Sequence, residues 1–412
     1  MILCCRVLIV IALAVAVSLA MPLGKHAAAE PVVFDQYQIS ILRSLSSEVL
    51  AEIDDPSNKY MTDPSAIELG KHIFRDTSLS KNGKVSCAKC HQERRAFTDG
   101  LPKAFGLGLT GRNTPSLNGV AYQDWFYWDG RRDSLWSQAL VPFEADIEMG
   151  VDRTFVVRKV LHNSTYLGLY KQAFGDDFIG KGDFWPANAS PFGSDLTKAS
   201  WNGLSEQQRQ NINHVFSNVG KSIAAYEGTI GFVPSRFDTF ISSLEQGQIN
   251  TSILSKKELK GLKLYIDDKR TACLRCHNGP RLSNGGFHNI GTGTFAGPGI
   301  DLGRSLGLQA VLVDEFNCLG RYSDAAPDDC DELNYLQKDP HNMNYGAYKV
   351  PSLRNVVNTG PYYHDGRFAT LDEVIEYYLN PPQLPYGKTH ELTPLSLSKD
   401  EVGQLLAFLR TL

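Results

Sequence analysis

The chain has no basic tract. Its 412 residues hold 41 Lys and Arg against 45 Asp and Glu, a formal charge of −4, and nowhere do cations gather as nucleic acid binding demands. Beyond the N-terminus there is no long apolar run, so the body of the chain offers no candidate for a membrane span. Few stretches alternate apolar with polar residues, which argues against extensive sheet. Methionine is scarce, at five residues, and cysteine is limited to eight.

The single apolar run, Val7 to Leu19, follows Arg6 and precedes Pro22 and Ala27-Ala28-Ala29. This is the layout of a secretory signal. Residues 1–29 are therefore read as a signal peptide cleaved after Ala29, with the mature protein exported to the periplasm and left without a stable membrane span. A retained anchor is the alternative, because Met1 to Met21 is nearly long enough to cross a bilayer. Cleavage removes Arg6 and Lys25, making the remainder more acidic, and takes Cys4 and Cys5 with it.

Four of the other cysteines fall in two pentapeptides, Cys87-Ala-Lys-Cys90-His91 and Cys273-Leu-Arg-Cys276-His277. Cys-x-x-Cys-His is the attachment pattern of c-type haem: the thiols bond to the porphyrin and the imidazole binds iron. Zinc also takes Cys and His, but a structural zinc site needs four protein ligands, usually two such pairs brought together. Here each pentapeptide is self-contained, so two covalently bound haems are expected. Cys318 and Cys330 remain. In an exported protein a disulfide closing a short loop is the natural reading; free thiols or a metal site are the alternatives.

At this length two domains are the default, placed at 30–240 around the first motif and 241–412 around the second. The segments entering the motifs look alike: Gly70 precedes Asp76 and Gly261 precedes Asp267 at one spacing, among apolar residues at helical intervals. Ser255 with Glu258, Thr370 with Glu373 and Ser398 with Glu401 are capping boxes that open helices. After Thr370, positions Leu371, Val374, Ile375, Tyr378 and Leu379 share one face. Gly- and Pro-rich connections run over 182–193 and 291–303. The expected fold is mainly α: two cytochrome c-like haem domains with long loops.

Each iron has a sixth position whose occupant separates chemistry from electron transfer. Beyond the leader the methionine candidates are Met61, Met149 and Met343; His and Tyr are the others.

From Leu69 to the C-terminus the chain resembles the bacterial di-haem cytochrome c peroxidases and the MauG group within them. The resemblance rests on Ser86 to His91, Ala96-Phe97-Thr98-Asp99-Gly100, Arg112-Asn113-Thr114-Pro115-Ser116-Leu117 and Phe126-Tyr127-Trp128-Asp129-Gly130-Arg131. It continues through Glu148-Met149, Val350-Pro351-Ser352-Leu353-Arg354-Asn355 and Thr359-Gly360-Pro361-Tyr362-Tyr363-His364-Asp365-Gly366. It implies that the first haem is the peroxide site. Members needing reductive activation carry a His over that iron, where this chain has Leu107, so the iron should be open. It implies Glu148 as proton carrier, Gln138 in the same pocket, Trp128 between the haems, and Ca²⁺ held by Asn113, Thr359 and Pro361, the last two through main-chain carbonyls. Ordinary members place a Met at the spacing from His364 that Tyr378 occupies, and MauG-like enzymes place Tyr there. A phenolate ligand favours ferric and higher iron.

The function so implied is a haem-dependent oxidoreductase. Hydrogen peroxide would generate a high-valent bis-haem state that oxidises a tryptophan on a periplasmic partner protein. Segment 315–330 looks like the methanobactin-associated MbnH branch, whose members convert that tryptophan to kynurenine. Thr271 stands where MauG has a Trp on its hole-transfer route, and Tyr265 is a candidate surface aromatic to replace it. Two other functions are open: a peroxidase reducing hydrogen peroxide with electrons from a small cytochrome, and a non-catalytic electron-transfer cytochrome.

Overall fold

The computed structural model describes residues 32–177, 184–245, 252–293, 301–336, 344–384 and 389–412. The signal segment 1–29, Met343 and parts of the connections at 182–193 and 291–303 lie outside the described residues. Helices dominate. In chain order they are α1 (Gln36–Ser44), α2 (Pro64–Arg75), α3 (Cys87–Cys90), α4 (Leu135–Glu144), α5 (Arg153–His162), α6 (Ser164–Phe174) and α7 (Asp195–Asn202). Then come α8 (Glu206–Gly228), α9 (Arg236–Glu245), α10 (Lys256–Tyr265), α11 (Arg304–Leu312), α12 (Asp331–Asn334), α13 (Leu371–Leu379) and α14 (Lys399–Leu409). One short antiparallel pair joins β1 (Phe287–His288) to β2 (Tyr348–Lys349), with Phe287 opposite Lys349. The mainly α, di-haem-type fold read from the sequence is the fold observed. All three expected capping boxes form, each with its hydroxyl accepting from the N3 amide.

The matched glycines have a packing reason. α2 crosses α8, and α10 crosses α14, with a glycine at each closest approach. A Cβ on Gly70 would stand 1.8 Å from the Ser222 carbonyl oxygen, and one on Gly261 would stand 2.0 Å from that of Gln404. Only a residue without a side chain lets two helix backbones come so near.

A second repeat lies deeper in each half. Tyr127-Trp128-Asp129-Gly130-Arg131 and Tyr363-His364-Asp365-Gly366-Arg367 fold as the same turn. Tyr127 and Tyr363 are left-handed, with φ of 66° and 71°. Each turn is closed by a bridge, Phe126 to Arg132 and Tyr362 to Phe368. Each then feeds a helix through a hydroxyl N-cap, Ser134 for α4 and Thr370 for α13.

After α11 the chain straps back across the first half. Phe316 and Tyr322 enter the core formed by α2, α4, α5 and α8. Fully buried Arg153 on α5 meets Glu144 through two hydrogen bonds of 3.0 and 2.9 Å and Glu315 at 2.6 Å. Lys221 on α8 meets Asp324 at 2.6 Å. Cys318 and Cys330 are joined by a disulfide within this strap, with a Cα separation of 5.7 Å.

Candidate functional site

Each motif histidine is oriented by its own loop. The His91 Nδ1 lies 3.0 Å from the Phe97 carbonyl oxygen, and the His277 Nδ1 lies 3.3 Å from that of Leu282. A donated Nδ1–H fixes the tautomer and leaves Nε2 free to bind a metal. Burial holds both rings below the ordinary histidine pKa, His277 down to about 4, which favours the neutral imidazole. Burial likewise lifts the Cys90 and Cys273 thiols to about 11.

Both motifs open onto one cavity of about 1440 Å³, lined by Cys90, His91, Cys273, Cys276 and His277. Single small-molecule pockets run to ~300–1,000 Å³. The size, the two Cys/His sets and the prearranged imidazoles fit two covalent haems; bound there, they would supply redox-active iron.

In the first half Glu148, Gln138, Tyr127 and Arg131 line the same wall. α4 carries Gln138. Glu148 lies just past the end of that helix, on a turn where its amide donates to the Ala145 carbonyl at 2.9 Å. Burial raises the Glu148 carboxyl above the usual range, and the Arg131 guanidinium works against the rise. Arg131 sits 3.4 Å over the Tyr127 ring, and burial lifts that phenol to about 12. The Tyr127 hydroxyl reaches the Gln138 carbonyl at 3.4 Å. Leu107 donates its amide to the Glu148 carbonyl at 3.0 Å and packs toward Gly150, not into the cavity.

In the second half Val374, Ile375 and Tyr378 of α13 line the cavity. Tyr377, one residue earlier, donates to the Ile290 carbonyl at 2.8 Å and does not line the cavity. Burial pushes the Tyr378 hydroxyl well above the usual tyrosine range, with the thiols of Cys273 and Cys276 adding to the rise and the Tyr363 hydroxyl opposing it. A cation at the phenol oxygen would favour loss of its proton. Among the described residues no methionine lines the cavity: Met149 is core, and Met61 takes a hydrogen bond from Asn58 on the sulfur at 3.2 Å. Two further histidines do line it. His288 pairs with Glu391 at 2.6 Å, and His364 stacks on Tyr348 with centroids 3.7 Å apart.

Trp128, Asn113, Thr359 and Pro361 line the same cavity. The Trp128 indole donates to the Asn113 carbonyl at 3.0 Å, and the Asn113 amide donates to the His364 carbonyl at 2.8 Å. The Asn113 side-chain amide nitrogen is spent on the Leu101 carbonyl at 2.8 Å, which leaves Oδ1 as the atom it can offer a cation. No group of three or more His, Cys, Asp or Glu side chains suited to a metal occurs among the described residues.

One expectation is corrected. Tyr265 is not a surface aromatic. It is 1% exposed and donates its hydroxyl to the His277 carbonyl, because α10 turns that face into the crossing with α14. Sequence reasoning also missed several residues. Tyr127, Arg131, Pro142 and Tyr363 line the cavity, and Glu227 lies buried beside Cys87. The repeated Tyr-x-Asp-Gly-Arg string was the available signal for the first two and for Tyr363. Extending its register along the helices sets Pro142 of α4 against Tyr378 of α13.

The comparisons with known proteins follow the same lines. A model of the di-haem cytochrome c peroxidase family matches residues 64–246. The methylamine utilization protein MauG of Methylorubrum extorquens is 28% identical over 351 residues, covering 85% of this chain and 78% of its own. A cytochrome-c peroxidase, IdrP2, of Denitromonas iodatirespirans is 29% identical over 355 residues, covering 84% and 81%. Among solved structures, a MauG-like protein associated with microbial copper homeostasis superposes with a TM-score of 0.59 at 24% identity, covering 88% of this chain and 94% of its own.

Proposed function

This chain belongs to the di-haem cytochrome c peroxidase family, and on that footing we propose that it uses hydrogen peroxide to oxidise a tryptophan on a partner protein, as the MbnH branch does, to kynurenine. The observation that carries the reading is the inequality of the two halves. α13 presents a phenol to the cavity at Tyr378, whereas the matching place on α4 holds Pro142, which has no ligating atom. A haem held at His91 would meet no side-chain donor at Pro142, whereas one held at His277 would have the Tyr378 phenol to supply an oxygen that favours oxidised iron.

The residues divide the work. Glu148 would take and return protons at the first site, with Gln138 beside it and Arg131 opposing the rise that burial gives its carboxyl. Trp128 lies on the cavity wall and would offer an indole through which oxidising equivalents pass. The half at 30–240 carries the peroxide chemistry, and the half at 241–412 carries the tyrosine-capped store. Asn113 Oδ1 with the carbonyls of Thr359 and Pro361 would hold Ca²⁺ through neutral oxygens and water, a donor set that suits this cation. Two peroxides remove four electrons from the indole and supply two oxygens, leaving two waters; hydrolysis then releases formate and leaves kynurenine. Export to the periplasm agrees with the Cys318–Cys330 disulfide.

Relatives include cytochrome-c peroxidases, so reduction of peroxide with electrons from a small cytochrome is the competing use of the same site. The deciding experiment adds hydrogen peroxide to the diferric, haem-loaded protein, alone and with candidate partners. Haem spectra and partner mass are recorded. A long-lived spectral change followed by a mass change in the partner's tryptophan supports the proposal. Steady turnover with reduced cytochrome c and no such change would overturn it in favour of the peroxidase, and an inert spectrum would favour an electron carrier.

A further inference from the structure

Tyr127 and Tyr363 occupy the same slot in the two repeated turns, yet their hydroxyls are treated differently. The Tyr127 hydroxyl ends on a main-chain carbonyl, that of Gln138. The Tyr363 hydroxyl is buried and faces the Tyr378 hydroxyl, without closing a hydrogen bond of normal geometry to any described residue. Its ring cannot easily swing away. Phe368 and Tyr377 pack edge-on against it with centroids at 4.9 and 5.5 Å, and Tyr377 is itself pinned to the Ile290 carbonyl. The backbone beneath is left-handed, with φ of 71°, a strained setting for a bulky residue and one that positions side chains at functional sites. The polar group facing this hydroxyl is the Tyr378 oxygen, and both side chains line the cavity at the second motif.

A buried phenol O–H left unpaired is costly, so the site makes sense once an acceptor is supplied. Tyr378 as a neutral phenol is a mediocre one. As an iron-bound phenolate it has no proton of its own and accepts strongly. We propose that Tyr363 is a positioning residue for the second haem: its hydroxyl donates a hydrogen bond to the metal-bound oxygen of Tyr378 and thereby sets how strongly that oxygen stabilises oxidised iron. The inference rests on the reading of Tyr378 as an iron ligand. A donated hydrogen bond draws electron density from the phenolate, so it weakens the oxygen's hold on ferric iron and moderates the potential. The first half needs no such donor, because Pro142 stands where Tyr378 would.

The test uses the haem-loaded full chain and does not depend on turnover. Resonance Raman of the ferric wild type, with Tyr378→Phe to assign the phenolate bands, is run in H₂O and in D₂O; spectroelectrochemistry follows each iron. The expected results are phenolate bands that shift in D₂O, loss of that shift in Tyr363→Phe, and a lower potential of the second iron alone in the variant. Phenolate bands that are insensitive to D₂O in the wild type, or potentials identical in wild type and Tyr363→Phe, overturn this inference and leave Tyr378 as a ligand. Absence of phenolate bands from the wild type overturns the ligand reading and this inference together. The isotope arm keeps the test decisive even if Tyr363→Phe fails to accumulate.

Discussion

Pro142 and Tyr378 stand at the same place on two equivalent helices, and both face the one cavity. The two halves share a turn, an N-cap and a helix crossing, and this position is one at which they part chemically.

Tyr378→Phe should remove the phenolate signature, raise the potential of the second iron and shorten the life of the peroxide-generated state at least tenfold. Stopped-flow spectra after a single equivalent of peroxide check it. Decay unchanged from wild type would mean that the phenol is only core.

Glu148→Gln should slow the reaction with peroxide by ~10²–10⁴-fold, the usual worth of a positioned proton carrier. On the proposed reading the wild-type carboxylate is the working base, and burial raises its pKa. The rate should therefore climb with pH through a midpoint above that of ordinary glutamate and then level. In the variant that limb should vanish. A wild-type pH profile retained by Glu148→Gln would exclude the residue as the base.

Glu227 on α8 is fully buried with Oε2 unpartnered, and burial lifts its carboxyl from the usual 4.5 to about 8. The folded chain then keeps a proton across the window between those values that the unfolded chain has lost. Stability attributable to this group is intact below the lower value and declines as pH rises to the upper one. Glu227→Gln should raise Tm near the upper end of the window and leave it nearly unchanged near the lower end. Thermal melts at the two ends, which coincide for wild type and variant if the group is solvated, make the check.

Gly70→Ala and Gly261→Ala should each cost about 1–3 kcal/mol or more, since the added methyl meets main chain that cannot rotate aside. Gly168→Ala is the control, because a Cβ there has nothing within 4 Å. Equal Tm values for all three would contradict the crossings described.

The legible parts of this molecule were those written in local chemistry. Haem attachment needs five adjacent residues, and a capping box needs four, so Cys87 to His91 and Thr370 to Glu373 could be read without a fold. Helical spacing put Tyr378 rather than Tyr377 on the inner face, and it lies there. What could not be read depended on distant partners. The burial of Tyr265 follows from α14, more than a hundred residues downstream. The pairing of the Tyr363 hydroxyl with Tyr378 is visible only once its neighbours are in place. The Tyr-x-Asp-Gly-Arg repeat is an intermediate case: both copies were in view as family blocks, but their equivalence acquires meaning only when the turns superpose.

The strap at Phe316 and Tyr322 has a dynamic consequence. It is nailed into the first half by Arg153 and Lys221, so the two motifs cannot approach and recede as loosely tethered bodies would. Electron exchange past Trp128 should then be set by fixed distance and driving force, and its rate should be indifferent to added glycerol or sucrose even as viscosity rises several-fold.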